Sequence, residues 1–340
     1  MSKIQLAVMD TGEANRRILN KDEYRADFRR VEAASLKRKT RLASAEGKRM
    51  FVRMFNTLQL NQGNGLFSEI GLMAGVAKTD WSWSALFSDF DLDGFKDLYV
   101  TNGILRDIRN RDFTAYAFEA FHDDSIPRLE IISKGPSMPL SNYMFRNDGK
   151  LHCENVASRW GLADRSFSQG ASYADLDGDG DVDLVVNNMN QEAFVYQNRT
   201  VDQESANYFR IRLEGIPGNS RSFGARVLIR YGQQGMQMGE IAGSRGFMSS
   251  SEPVLTFGMG AAQAVDSVFV RWPGGKFMRL GNLKVNQTLV VRQDDAREHM
   301  AEQLLQLVPF ILSEDQTDAS FGRILHAENA FDDYKREVLI

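Results

Sequence analysis

The sequence predicts a mainly β protein: partial β-propeller blades with a helical insertion, then a compact, sandwich-like all-β domain. Three observations carry that expectation. Two acidic segments, Asp89-Phe-Asp-Leu-Asp-Gly-Phe-Lys-Asp97 and Asp175-Leu-Asp-Gly-Asp-Gly-Asp-Val-Asp183, each run straight into β-branched and aromatic residues. Their surroundings repeat, because Asn61 and Asn147 stand 86 residues apart and so do Asp89 and Asp175. Beyond residue 206 the texture changes to strict alternation, first in Tyr208-Phe-Arg-Ile-Arg-Leu-Glu214, the pattern of a half-exposed strand.

Residues 1–55 read as a polar, partly helical segment. Its bases, among them Arg16, Arg17, Arg29 and Arg30, are interspersed with Asp22, Glu23, Asp27 and Glu32. That mixture predicts a solvated helical face rather than a nucleic-acid arm. The first ten residues are not a signal peptide, because the apolar run is short and Asp10 interrupts it. Taken alone, they predict a cytoplasmic protein. No apolar stretch of about 20 residues exists to span a membrane.

Residues 56–205 hold the repeat. The first copy runs Asn56-Thr-Leu-Gln-Leu-Asn61, a Gly/Asn turn, Phe67, Gly71 to Val76, Trp81-Ser-Trp83 and Leu86 to the first acidic segment. The second runs Asn142-Tyr-Met-Phe-Arg-Asn147, Asp148-Gly, Leu151, Gly161-Leu162 and Gly170 to the second segment, and Phe194 to Asn198 starts a third. Four short strands per unit is a propeller-blade signature, and a lone blade cannot bury both faces. An insertion of roughly 104–140 separates the copies. Asp112 to Phe121 within it has helical spacing, and its aromatics are expected to pack on the blades. Trp81 and Trp83 are expected to fill space between blades. Residues 206–293 give further strand candidates separated by Gly, Pro and Asn turns, and 294–340 a charged linker leading into another apolar stretch.

The acidic segments carry the chemistry. Each places acids at positions 1, 3, 5 and 9 with glycine at position 6: Asp89, Asp91, Asp93 and Asp97 around Gly94, and Asp175, Asp177, Asp179 and Asp183 around Gly180. Carboxylates so crowded repel one another until a hard divalent cation turns repulsion into coordination. Position 7, Phe95 or Asp181, would add a carbonyl oxygen. The EF-hand is excluded, because position 12 is Val100 or Val186 rather than glutamate. The prediction is two calcium sites. A solvated acidic turn is the alternative for one copy, and the second copy in the same context weighs against it.

The Asn-x-x-x-Asn turn, Phe67 and the D-x-D-x-D-G-x-x-D loops resemble FG-GAP/VCBS-type repeats, which implies a β-propeller with calcium in its blade loops. Phe223-Gly-Ala-Arg226, Gly243-Ser-Arg-Gly-Phe247, Ser250-Ser-Glu-Pro253, Phe257-Gly-Met-Gly260, Arg271-Trp-Pro-Gly-Gly275 and Asn286-Gln287 resemble the ASPIC/UnbV module. The pairing occurs in large exported bacterial proteins, so the resemblance implies an extracellular or cell-surface location. Two clear blades with a partial third, and the repeat-like ending His326 to Asp333, imply one stretch of a longer chain.

Composition bounds the rest. A net charge of −4 gives no nucleic-acid footprint. The single cysteine, Cys153, cannot form an internal disulfide and reads as a buried small hydrophobe. The four histidines sit in no H-E-x-x-H or G-x-S-x-G pattern, and no phosphate-binding glycine loop is present. The expected function is therefore a non-catalytic calcium-binding module for a polysaccharide or surface protein. A propeller-type polysaccharide lyase or glycoside hydrolase is the alternative, with its catalytic residues in the insertion. The cluster Arg245, Ser249–Ser251 and Glu252 reads as a hydrogen-bonded hairpin corner.

Overall fold

The computed structural model describes residues 7–10, 55–62, 66–108, 110–123, 125–203, 206–233 and 235–296. The expectations for 11–54 and for 297–340 lie outside them. Three antiparallel sheets follow one another in the first half. The strands are β1 (Ala7–Asp10), β2 (Asn56–Asn61), β3 (Phe67–Glu69), β4 (Ser82–Ser88) and β5 (Asp97–Asn102), then, past two helices, β6 (Leu140–Ser141), β7 (Tyr143–Asn147), β8 (Cys153–Asn155), β9 (Arg165–Ser166), β10 (Ser168–Ala174), β11 (Asp183–Asn188) and β12 (Phe194–Tyr196). The sheets run β1-β2-β3, β4-β5-β7-β8 and β10-β11-β12, with β6 and β9 as a two-stranded clip. The first sheet thus takes β1 from the segment expected to be polar and partly helical.

The sheets are out of phase with the sequence repeat. Each copy begins with two strands of one sheet and ends with two strands of the next, because the loop 70–81 carries the chain across. The ladder closes through the acidic segments, which form the β4–β5 and β10–β11 connections, with Ser88 opposite Asp97 and Ala174 opposite Asp183.

Burial explains the stacking. Every residue of β5 is buried. Its Leu98 and Val100 join Leu58, Leu60, Ile70 and Phe145 in one core. Its Tyr99 points the other way, into a core with Leu86, Met144, Ala171, Leu184 and Val186. The middle sheet is therefore sandwiched, which accounts for a strand buried from end to end. At about 25 cal/mol per Å2 these buried side chains supply most of the drive for stacking.

The insertion differs from expectation. Helices α1 (Arg111–Ala120), capped by the Asn110 side chain, and α2 (Arg128–Ser133) make their own small core from Ala117, Ala120 and Ile131, with Phe113 and Tyr116 against it. Phe118 and Phe121 stay 70% and 50% exposed. The helical aromatics divide between that core and solvent because α2 supplies a nearer apolar face than the sheets do.

After the short helix α3 (Thr200–Gln203) come β13 (Asn207–Glu214), β14 (Arg226–Tyr231), β15 (Gly235–Glu240), β16 (Val254–Gly260), β17 (Ala264–Arg271), β18 (Phe277–Lys284) and β19 (Thr288–Arg292). Two sheets, β16-β13-β19 and β15-β14-β17-β18, enclose one core that includes Phe209, Ile211, Val227, Ile229, Phe257, Val268 and Trp272. The β13–β19 pair is parallel. The protein is mainly β throughout, and the described strands form no closed barrel.

The two halves meet along residues 246–260. Register shifts interrupt β4–β5 between Ser82 and Ala85 and β10–β11 between Ser168 and Ala171, at matching places in the two copies. Such bulges re-aim the strand. Here they face one segment: the Phe247 N–H donates to Ser84 Oγ, and Gly170 lies against Ser249. Trp83 packs on the Phe247 ring at 4.7 Å, so it fills an inter-region contact. Ser172, Tyr173, Ser250, Ser251 and Glu252 then exchange hydrogen bonds that cover the β10 edge.

Candidate metal centres

Both acidic loops are wound by their own carboxylates. In loop one (Asp89–Asp97), Asp89 accepts from the N–H groups of Asp93 at 3.1 Å and Gly94 at 2.9 Å. In loop two (Asp175–Asp183), Asp175 accepts from Gly178 at 2.7 Å and Gly180 at 3.2 Å. Gly94 and Gly180 take φ of 98° and 110°, the left-handed bend for which position 6 needs glycine. Position 5 makes a tight turn in each copy, Asp93 accepting from Phe95 N–H and Asp179 from Asp181 N–H.

Position 9 is a latch. One Asp97 oxygen accepts from Phe90 N–H and the other from Asn147 N–H, both at 3.0 Å. Asp183 does the same with Leu176 at 2.8 Å and Asn198 at 2.7 Å. The repeated aspartate thus closes its own loop and pins the repeated asparagine of the next strand. Both roles are invisible in spacing alone. The amide nitrogen of Asn198 is spent on Phe90 O at 2.8 Å, and that of Asn286 on Asn207 at 2.8 Å.

The loops gather different acids. Carboxylate oxygens of Asp89, Asp91 and Asp97 lie within 4.8 Å of one another in loop one, and those of Asp175, Asp177 and Asp179 in loop two. Asp93 stands aside, paired with Arg146 at 3.1 Å. Phe95 turns its ring over Gly149, where a Cβ would meet it at 2.6 Å. Asp181, only 1% exposed, accepts from Val201 N–H at 3.0 Å.

Charge is only partly balanced. Arg146 of β7 pairs with Asp91 as well as Asp93. Arg210 of β13 pairs with the fully buried Asp175 carboxylate and, at 2.8 Å, with Glu252. Alternation along β13 predicts an outward Arg210, yet it is 7% exposed beneath loop two. Burial, then repulsion from Asp97, Asp93 and Asp91, drives the Asp89 carboxyl well above its ordinary range. Burial and Asp91 push Asp97 up to about 8. In loop two burial raises Asp181 to about 7 and raises Asp179, whereas the Gln197 amide holds Asp177 below its usual range. Burial, then Arg245, brings Lys96 down to about 8, and its ammonium reaches Met238 O.

A calcium ion accepts six to eight hard oxygen donors in flexible geometry. The donor sets fit that chemistry, being carboxylates alone. One atom of these sets fits it further, Asp91 Oδ1, buried and meeting no hydrogen-bond donor; Asp181 Oδ1 is likewise unpartnered but stands outside the loop-two cluster. Orphaned buried oxygens are rare and costly. Among the described residues these loops hold the two clusters of metal-ligating side chains. His122 and His152 are exposed and lie in neither.

Residues 215–298 match the ASPIC and UnbV family model. The ASPIC and UnbV match takes in Glu252 and Gly258, which touch the acidic loops, and residues 246–251, which lie along β4 and β10, and it begins after Arg210. The chain is also similar to cartilage acidic protein 1 of Xenopus tropicalis, 27% identical over 254 residues covering 65% of this chain and 38% of that protein. Similarity to cartilage acidic protein 1 of Mus musculus is 27% over 255 residues, and to that of Homo sapiens 25% over 255, covering 66% and 38% in each case. The chain therefore spans less than two fifths of the length of these relatives.

Proposed function

We propose that this chain is a non-catalytic calcium-binding repeat protein, a secreted or surface module that presents a propeller-type face to a polysaccharide or protein ligand. The observation that carries it is Asp91 Oδ1, buried and unpartnered where three carboxylates converge. A cation there would relieve the repulsion that raises Asp89 and Asp97. The consecutive face-packed sheets, with an acidic loop at the same connection in two of them, support the FG-GAP/VCBS-type reading. The resemblance supports an extracellular setting.

The test is thermal unfolding in EDTA, in millimolar calcium and in millimolar magnesium, for the parent and for Asp91→Asn. A ligand at 100 times its Kd stabilises by about 2.7 kcal/mol, so a filled site is readily seen. The expected result is a calcium-specific rise in Tm that shrinks in Asp91→Asn. A cooperative melt with no calcium shift would sink the metal reading.

A further inference from the structure

An open cleft of about 560 Å3 lies between the second and third sheets, beside loop one. That size falls within the roughly 300–1,000 Å3 of small-ligand clefts. Met144, Leu162 and Leu184 give it an apolar floor, and Trp160 and Tyr196 stand in its walls. Three arginines, Arg146, Arg159 and Arg199, line it against one acid, Asp91.

The arginines are not equally committed. Arg146 is held by Asp91 and Asp93. Arg159 makes a bidentate pair with Glu154, at 3.0 and 3.3 Å, with both side chains more than half exposed. Such a surface pair contributes about 0–1 kcal/mol and yields readily to a better partner. Arg199 reaches only the Gln197 amide oxygen, at a long 3.5 Å. The half-buried Trp160 indole N–H makes no hydrogen bond among the described residues. Other groups are fixed: Gln197 donates to Asp177, Asn198 to Phe90 O, and Tyr196 OH to Asp164. The cleft therefore has an apolar floor, an aromatic wall, an unused donor, one guanidinium with no carboxylate partner, Arg199, and one in an exposed ion pair, Arg159.

We propose that this cleft binds an anionic sugar ring, a carboxylated or sulfated unit of a polysaccharide. The C–H face of a pyranose fits an apolar floor beside indole, and a guanidinium fork matches the paired oxygens of a carboxylate or sulfate. A neutral sugar would leave the positive excess unanswered. This inference rests on the binding-module reading and gives that module its ligand class and site.

The experiment is calorimetric titration of the intact chain, in calcium and in EDTA, with trigalacturonate, sulfated maltotriose, maltotriose and hexaglutamate. Parent, Arg199→Ala, Arg159→Ala and Trp160→Phe are compared, all changes at side chains not wholly buried. At least one acidic trisaccharide should bind at least tenfold more tightly than maltotriose. Arg199→Ala and Arg159→Ala should each weaken it about tenfold, and Trp160→Phe should remove its fluorescence response. Which acidic sugar wins identifies carboxylate or sulfate as the charge. Equal binding of maltotriose, indifference to both arginine changes, preference for hexaglutamate, or no sugar binding would overturn the proposal. A calcium-dependent Tm rise without sugar binding would overturn this inference alone. Sugar binding without that rise would overturn the metal reading alone.

Discussion

Asp175 in loop two is held by Arg210, a guanidinium from the following β region, while Asp91 in loop one is held by Arg146, from the next strand of its own sheet. The two loops share a motif and nearly the same backbone hydrogen bonds. They differ in where the counter-charge comes from and how deeply it lies. Arg210 is buried, with 8% of its side chain exposed, and Arg146 leaves 36% exposed. Loop one also touches the β region, but without a guanidinium: Gly260 N–H donates to Leu92 O at 2.9 Å, Gly258 lies flat against Asp89 and Leu92, and the loop's own Lys96 reaches Met238 O. The first loop is therefore pressed against a neutral wall and takes no guanidinium from the β region, its cations being Arg146 and its own Lys96. The second has an arginine built into its joint. One motif lies once beside a cleft, as an acidic cluster with a buried unpartnered oxygen, and once at an electrostatic joint between regions.

The sharpest way to break that comparison is Arg210→Met. It leaves the buried Asp175 and the partly buried Glu252 without their partner, and removing one member of a buried pair costs about 3–5 kcal/mol. Denaturant unfolding in EDTA should show a loss near the middle of that range, about 4 kcal/mol, with calcium restoring part of it. A loss below about 1 kcal/mol would mean that the fastener contributes little.

Gly258→Ala tests the neutral wall. A Cβ there would lie 2.1 Å from Asp89 Oδ2 and 2.5 Å from the Leu92 backbone. Overpacking of this kind costs about 3 kcal/mol. Because it displaces a candidate ligand, the variant should also lose calcium-induced stabilisation, which Arg210→Met should keep at loop one. Unfolding of both variants with and without calcium checks the contrast.

The loops were legible because their spacing is local: positions 1, 5 and 6 act through bonds within five residues, and the strands beyond them start at Asp97 and Asp183. Arg210 was not legible. Its partner lies 35 residues away, and alternation along β13 assigned it to solvent. Arg245 and Ser249 to Glu252 read as a hairpin corner, and Arg245 and Ser249 do bond within it, to Glu240 O and Phe247 O, but Ser250, Ser251 and Glu252 also answer β10 and loop two, since a sequence does not say which edge a loop will cover. The phase of the sheets was hidden for the same reason. A repeat shows where units recur, and hydrogen bonding decides where one sheet stops.

Arg146→Gln sharpens the comparison from the other side. The guanidinium is more than a third exposed, so its loss should cost only about 1 kcal/mol in EDTA. It also competes with any cation for Asp91. Calcium should therefore bind Arg146→Gln more tightly than the parent, the opposite of what losing a structural partner does. Calorimetric calcium titration reads the sign, and weaker binding would mean that Arg146 supports the site rather than opposing a metal.

The last contrast is in pH. Asp97 rises to about 8 and Asp89 rises with it, while Asp181 rises to about 7. Unfolded aspartate titrates near 3.9, so between about pH 4 and 8 the metal-free folded state holds protons that the unfolded state has released. Stability in EDTA should therefore be highest at the acid end of that window and fall as pH rises. Loop two should stop contributing near pH 7 and loop one near pH 8. Asp177, held low, acts with the opposite sign but below the window, and Lys96, brought to about 8, adds stability only above it. Calcium requires the ionised carboxylates and binds better as pH rises, so it should flatten or invert the slope. Tm measured from pH 5 to 8 with EDTA and with calcium decides this. A Tm in EDTA that rises across the window would mean that Arg146 and Arg210 already balance the ionised loops, and the case for a cation in loop one would lose its electrostatic ground.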